Sequence, residues 1–132
     1  IKNSKRIQSL VELSSAVERC ELVWDLCCDH GHIGISVQDE THCNSRLNLV
    51  DQIPSITDKL TQVIKKRSNG NTQVLCNSAT AVDYKNEHAN LFIIAGVGGE
   101  LSVKILSRIL ETNLNTSNPF IVSTHNNIKY YL

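Results

Sequence analysis

The stretch from Asp25 to His32 holds Asp25, Cys27, Cys28, Asp29, His30 and His32, the densest run of chemistry-bearing side chains in the sequence. Three chemistries could use such a set. A structural zinc site needs ligand pairs spaced as CxxC or HxxxH, and the sequence contains neither; the adjacent Cys27 and Cys28 would also point different ways. A metal is therefore not expected. A Cys-His nucleophile needs a third group to orient the base, and none is identifiable. What remains is a carboxylate and a polar loop placed to bind a ligand. Other polar or glycine-rich points recur along the chain: Asp51, Asn77-Ser78, Gly96-Val97-Gly98-Gly99 and Ser123-Thr124-His125-Asn126.

Each of these points follows a short apolar run, which is the pattern of strand ends. Leu22-Val23-Trp24 precedes Asp25, Arg46 to Val50 precedes Asp51, and Thr72 to Cys76 precedes Asn77. Leu91 to Ala95 precedes Gly96 and is the most continuous apolar run, so it is expected at the centre of a sheet. Phe120 to Val122 precedes Ser123. Between the strands, apolar residues fall at helical spacing. They are Ile7, Leu10, Val11 and Val17 over residues 4–17, Ile56, Leu60, Val63 and Ile64 after Pro54, and Leu101, Ile105, Leu106, Ile109 and Leu110. Ile33, Ile35 and Val37 mark a further element after the Gly31 turn. Strands alternating with helices predict an α/β fold: a Rossmann-like, open, mostly parallel sheet with helices on both faces. In such a sheet ligands bind beyond the carboxyl ends of the strands. All five polar points lie there. Residues 77–90 and 112–119 read as polar loops.

The residue types suggest specific tasks. A carboxylate at the tip of the second strand accepts hydrogen bonds from a ribose diol, which suits Asp51; capping the helix at Pro54 is its other reading. Asn77 could read an adenine edge with its amide, or simply close a turn. The glycines at 96, 98 and 99 allow close backbone approach, whereas a tight turn alone needs one. No GxxxxGK[ST] occurs, so a P-loop is excluded, and no GxGxxG follows the first strand, which disfavours a nicotinamide-dependent oxidoreductase.

Composition bounds the rest. The 132 residues suffice for a single domain spanning 1–132 and are too few for two. Net charge is zero, so no general basic excess marks a nucleic-acid binder, although Lys2, Lys5 and Arg6 cluster, as do Lys65, Lys66 and Arg67. Five cysteines, an odd number, and no signal-peptide pattern favour a reduced, cytoplasmic protein, and no apolar run is long enough for a membrane span. The chain has no methionine and ends on Tyr130-Tyr131-Leu132, which suggests that the natural protein extends beyond it.

The motifs Ser4-Lys5-Arg6-Ile7, Val23-Trp24-Asp25-Leu26-Cys27-Cys28-Asp29-His30 and Ile93-Ile94-Ala95-Gly96-Val97-Gly98-Gly99 resemble the bacterial TrmK family of tRNA (adenine(22)-N1)-methyltransferases. The resemblance runs in order over almost the whole chain. It implies S-adenosyl-L-methionine as cofactor and tRNA as substrate. It further implies that Asp25, Cys27, Asp51, Asn77 and Gly96 line the cofactor, and it offers Asp29 and His30 as the residues shaping the acceptor site. The sequence also departs from the family. Cys27 stands where the family has a glycine, Asn77-Ser78-Ala79-Thr80 replaces a GDGL segment, and the helical extension that follows the family domain is absent from this sequence. The loss of that glycine implies an alternative: a catalytically degenerate relative acting as a cofactor-binding or interaction module.

Overall fold

The computed structural model describes residues 5–28, 31–113, 115, 117–124 and 127–131, with side chains described as far as Ser123. The order of elements is α1 (Lys5–Ser15), β1 (Leu22–Leu26), α2 (His32–Glu40), β2 (Arg46–Asp51), α3 (Pro54–Lys65), β3 (Thr72–Cys76), β4 (Asn90–Ala95), α4 (Gly99–Thr112), β5 (Phe120–Thr124) and β6 (Asn127–Tyr131). The strands form one six-stranded sheet in the order β3-β2-β1-β4-β5-β6. The first five run parallel, and β6 pairs antiparallel with β5.

Burial follows position in the sheet. Every residue of the central strands β1 and β4 is buried, and all but Asp25 and Asn90 are apolar. The edge strand β3 is only partly covered. On one face, Val23, Leu47, Leu49, Leu91 and Ile93 pack against Leu10 and Val11 of α1, Ile35 and Val37 of α2, and Leu60 of α3. On the other, Trp24, Leu26, Phe92, Ile94 and Val122 meet Ile105 and Ile109 of α4.

The second face holds a departure from the sequence expectation. Residues 77–90, expected as a polar loop, bury Ala79, Val82 and Tyr84 on the sheet. Tyr84 is fully buried, its ring edge-on to Trp24 at 5.0 Å, and its hydroxyl donates to the Ala79 carbonyl at 2.5 Å. Phe92 stacks on Phe120 at 5.3 Å and on Trp24 at 6.1 Å. Pairs of this kind contribute about 0.5–1.5 kcal/mol each beyond the area they bury. Three inward side chains among polar neighbours thus do the covering work of a crossover helix. The sixth strand is the other departure. Residues 127–131, NIKYY, carry β-branched and aromatic residues suited to a strand, and β5 supplies the partner.

Two polar struts tie these layers together. Gln38 is buried in α2; its amide donates to the carbonyls of Ser45 and Asn71 and accepts from Arg67 and Thr72. Arg67 also pairs with Asp39. Near the carboxyl end of the sheet, Arg6 of α1 donates to Ser123 Oγ through Nε at 3.0 Å and a terminal nitrogen at 2.7 Å. One arginine of each basic cluster is therefore an internal strut, while Lys5, Lys65 and Lys66 stay exposed.

Candidate active site

The carboxyl ends of β1, β2 and β3 and the start of α4 enclose a cleft of about 210 Å³. Its lining includes Cys27, Asp51, Ile53, Asn77, Val97 and Leu101. The first turn of its wall is set by β1. Cys27 follows the strand with φ +58°, in the left-handed region, and Cys28 donates its N–H to the Val50 carbonyl at 3.0 Å. Gly31, at φ +72°, closes the loop back to the Cys28 carbonyl at 2.7 Å and opens α2.

Asp25 lies behind this wall. It is almost fully buried, and its Oδ2 accepts the Gly34 N–H at 2.8 Å. A Cβ added at Gly34 would come within 2.8 Å of both Asp25 Cβ and Oδ2, so the glycine permits α2 to sit directly on β1. Burial pushes the Asp25 carboxyl up to about 7, against the pull of the Gly34 N–H and with a further push from Asp51. Asp25 is not among the residues lining the cleft. Its visible work is to hold α2 against the strand that ends in the loop.

Asp51 is mostly buried at the end of β2, with Oδ1 accepting the Ile53 N–H at 3.0 Å. Asp51 is not the cap of α3, as its other reading had it: the N-cap is Ile53, no side chain caps it, and the Asp51 bond closes the turn just ahead of Pro54. Asp51 also lines the cleft. Asn77 donates its N–H to the Asp51 carbonyl at 2.9 Å, and its Oδ1 accepts the N–H of Ser78 at 2.8 Å. The side chain is exposed at the rim.

The glycine run sits across the cleft. Gly96 has φ +78° and donates its N–H to the Ser123 carbonyl at 3.0 Å. Gly98 has an ordinary φ of −68° and precedes α4. A Cβ at Gly96, Gly98 or Gly99 would meet nothing within 4 Å. Only Gly96 is required by its backbone, so the bareness of the other two leaves open space at the sheet end. Gly96 itself is not among the cleft-lining residues, though its neighbour Val97 is.

Of the five residues assigned to the cofactor from sequence, the cleft joins Cys27, Asp51 and Asn77. Asp29, His30, His125 and Asn126 lie outside the described residues. The apolar lining was not anticipated. Ile53 and Leu101 are large hydrophobics left 47% and 40% exposed, and the signal for Ile53 was its place just past a strand-end acid. The nucleophile idea loses support, since burial, reinforced by Asp51 and Asp25, raises the Cys27 thiol, and burial with the same two acids raises Cys28. Burial in the core suits Cys28, but Cys43 and Cys76 are exposed. A larger hollow of about 380 Å³, with Arg46, Thr72 and His88 in its wall, opens at the amino ends of the strands. A parallel sheet directs its ligand sites to the opposite edge, so the smaller cleft is the better site.

A family model described as a methyltransferase domain matches residues 4–131. The chain belongs to the methyltransferase domain family. Solved structures similar to this methyltransferase-family chain include the Bacillus subtilis m1A22 tRNA methyltransferase TrmK, 20% identical with a TM-score of 0.75 over 92% of this chain and 50% of the other. An rRNA methylase from Streptococcus thermophilus is 13% identical, with a TM-score of 0.71 over 96% of this chain and 75% of that one. Coclaurine N-methyltransferase, solved with N-methylheliamine and SAH, is 16% identical, with a TM-score of 0.67 over 92% of this chain and 38% of its own length. At these identities the likeness shows a shared fold. Comparison with curated protein sequences gives no match. No helix among the described residues is long and apolar enough to cross a membrane.

Proposed function

We propose that this chain is an S-adenosylmethionine-dependent methyltransferase domain acting on RNA, with N1 of an adenine in tRNA as the acceptor that its motifs favour. The observation carrying this reading is the cleft that puts the Asp51 carboxylate beside the apolar side chains of Ile53, Val97 and Leu101. The donor set fits an adenine nucleoside: a carboxylate for the ribose diol, apolar side chains for the ring and the Asn77 amide at the rim. When bound, the cofactor supplies an activated methyl group on a sulfonium. The chain's own residues then have to position it. Asp51 anchors the ribose, and the bare backbone at Gly98 and Gly99 admits the acceptor. Adenine N1 carries its own lone pair, so no general base is needed before attack. Asp29 and His30 are proposed to shape the acceptor site. An adenine inside a stem would first have to be flipped out.

The test has two parts. Titration with S-adenosylhomocysteine should give saturable binding that Asp51→Asn weakens at least tenfold, about 1.4 kcal/mol. Incubation of labelled S-adenosylmethionine with bulk tRNA should then label one adenine. Equal affinity of wild type and Asp51→Asn would remove Asp51 from the site. Binding without methyl transfer would favour the second reading, a catalytically degenerate relative that serves as a cofactor-binding or interaction module; the left-handed Cys27 at the cleft wall is what speaks for it.

A further inference from the structure

We infer that the hollow at the amino ends of β1, β2 and β3 is a second ligand site that takes a nucleotide, with the phosphate on Arg46 and Lys85 and the base edge on the amides of Asn48 and Gln73. It stands independently of the reading of the cleft, which lies at the opposite ends of the same strands.

Rows of side chains cross β1, β2 and β3 in register on the face of the sheet that meets α4. Nearest the cleft the row is Leu26, Val50 and Leu75, apolar throughout, as parallel strands covered on both faces should be. Two residues back it is Trp24, Asn48 and Gln73, and at the start of β1 and β2 it is Leu22 and Arg46. One face of β2 and β3 thus turns from apolar to polar within a single pleat, while β1 stays apolar. The cover changes at the same place. Ala79, Val82 and Tyr84 pack into the apolar part. Beyond them Asp83, Lys85 and His88 form the far wall of a hollow of about 380 Å³ whose floor includes Leu22 and Trp24. That volume is within the range of small-molecule sites.

The polar groups around the hollow match the two ends of a nucleotide. The side-chain amides of Asn48 and Gln73 hydrogen-bond no other described residue, and Asn48 is half-buried. An amide sets donors beside an acceptor, which suits a base edge, whereas a bare anion uses donors alone. Arg46 is held in place at the mouth. Its Nη2 donates to His88 Nε2 at 2.6 Å, so the His88 proton sits on Nδ1, which lies 3.6 Å from Glu21 Oε2. This chain orients the guanidinium and uses one of its five donors. Neither Arg46 nor Lys85 has a carboxylate within ion-pair distance among the described residues. A planar guanidinium grips phosphate through two parallel bonds, and a lysine adds a point charge. Asp83, the acid in the wall, turns Oδ1 to the Lys85 N–H at 2.9 Å, so two cations face one carboxylate.

The test uses Trp24, the single tryptophan of the sequence, whose fluorescence reports what enters the hollow it lines. The 132-residue protein and the variants Arg46→Gln, Lys85→Gln, Asn48→Leu and Asp51→Asn are titrated with AMP, GMP, CMP and UMP, and with inorganic phosphate. Arg46 and Lys85 are exposed, so their replacement keeps the fold, and Asn48→Leu extends the apolar row and should not lower the urea midpoint. Expected is a saturable response to at least one mononucleotide, weakened about tenfold by Arg46→Gln and by Asn48→Leu, about threefold by Lys85→Gln, and unchanged in Asp51→Asn. Phosphate binding as tightly as every mononucleotide, or Asn48→Leu without effect, would leave an anion site only and overturn the inference. No response to any of the mononucleotides, or a response lost in Asp51→Asn and kept in Arg46→Gln, would overturn it too, the latter because binding would then belong to the cleft. A short single-stranded oligoribonucleotide identifies the source of the nucleotide. Affinity about tenfold above that of the mononucleotide, and sensitive to Arg46→Gln, supports a site for one unit of an RNA chain, while equal affinity supports a site for the free nucleotide.

Discussion

Replacing Asp25 by asparagine should remove a large part of the pH dependence of folding stability. The carboxyl is raised from 3.8 to about 7 by burial between β1 and α2. Between those two values the folded protein keeps a proton that the unfolded chain has released. Stability therefore falls as pH rises through this window, and is independent of this group below and above it. Each pH unit across the window corresponds to about 1.4 kcal/mol, so the full span is about 4 kcal/mol and the part between pH 5 and 8 about 2–3 kcal/mol. Asparagine retains an oxygen to accept the Gly34 N–H, which Asp25 holds at 2.8 Å, and carries no charge to desolvate. Its amide N–H groups need partners, which costs about 1–3 kcal/mol at every pH and leaves the slope untouched. The assay is urea unfolding of both proteins at several pH values from about 5 to 8, taking the difference in stability at each. Titrating groups remote from Asp25 cancel in that difference. Wild type should lose about 2–3 kcal/mol relative to Asp25→Asn on going up the range. A difference that stays constant, or that moves in favour of wild type as pH rises, would refute the account of Asp25 as a carboxyl destabilised by burial.

Gly34→Ala should destabilise the fold by about 3 kcal/mol, because the new Cβ would sit 2.8 Å from Asp25 and 3.1 Å from Leu47; urea midpoints decide, and a gain in stability, the usual result of Gly→Ala within a helix, would show that α2 does not rest on β1 as described. Arg6→Ala should cost about 1–2 kcal/mol through loss of the paired contact with Ser123. A double-mutant cycle with Ser123→Ala should return a coupling of about 1 kcal/mol, and strictly additive effects would mean that the contact contributes nothing.

Much of the architecture was legible because local physics and tertiary context agree. The buried strands β1 and β4 are apolar except at Asp25 and Asn90, so their existence could be read directly, and the amphipathic rhythm of Ile56, Leu60 and Ile64 identified α3. Where the two disagree, reading failed. Residues 77–90 look like a loop by composition and lack helical periodicity, yet Ala79, Val82 and Tyr84 seal one face of the sheet. Their burial depends on Trp24, far away in sequence, and on Phe92 of the adjoining β4. Likewise Arg6 looks like a surface charge until Ser123, at the other end of the chain, supplies its acceptor.

The sequence by itself determined the alternation of strands and helices, the placement of polar and glycine residues at strand ends and, through these, the edge of the sheet where a ligand belongs. These are properties of short segments, set by side-chain period and backbone propensity. Only the tertiary structure decided which of those residues share a space. It drew Cys27, Asp51 and Asn77 into one cleft, set Asp25 behind it against Gly34, and left Ile53 and Leu101 bare at its wall. It also kept Cys27 in a left-handed conformation. Such outcomes depend on how three parallel strands and the ends of two helices converge, and no single segment carries that information.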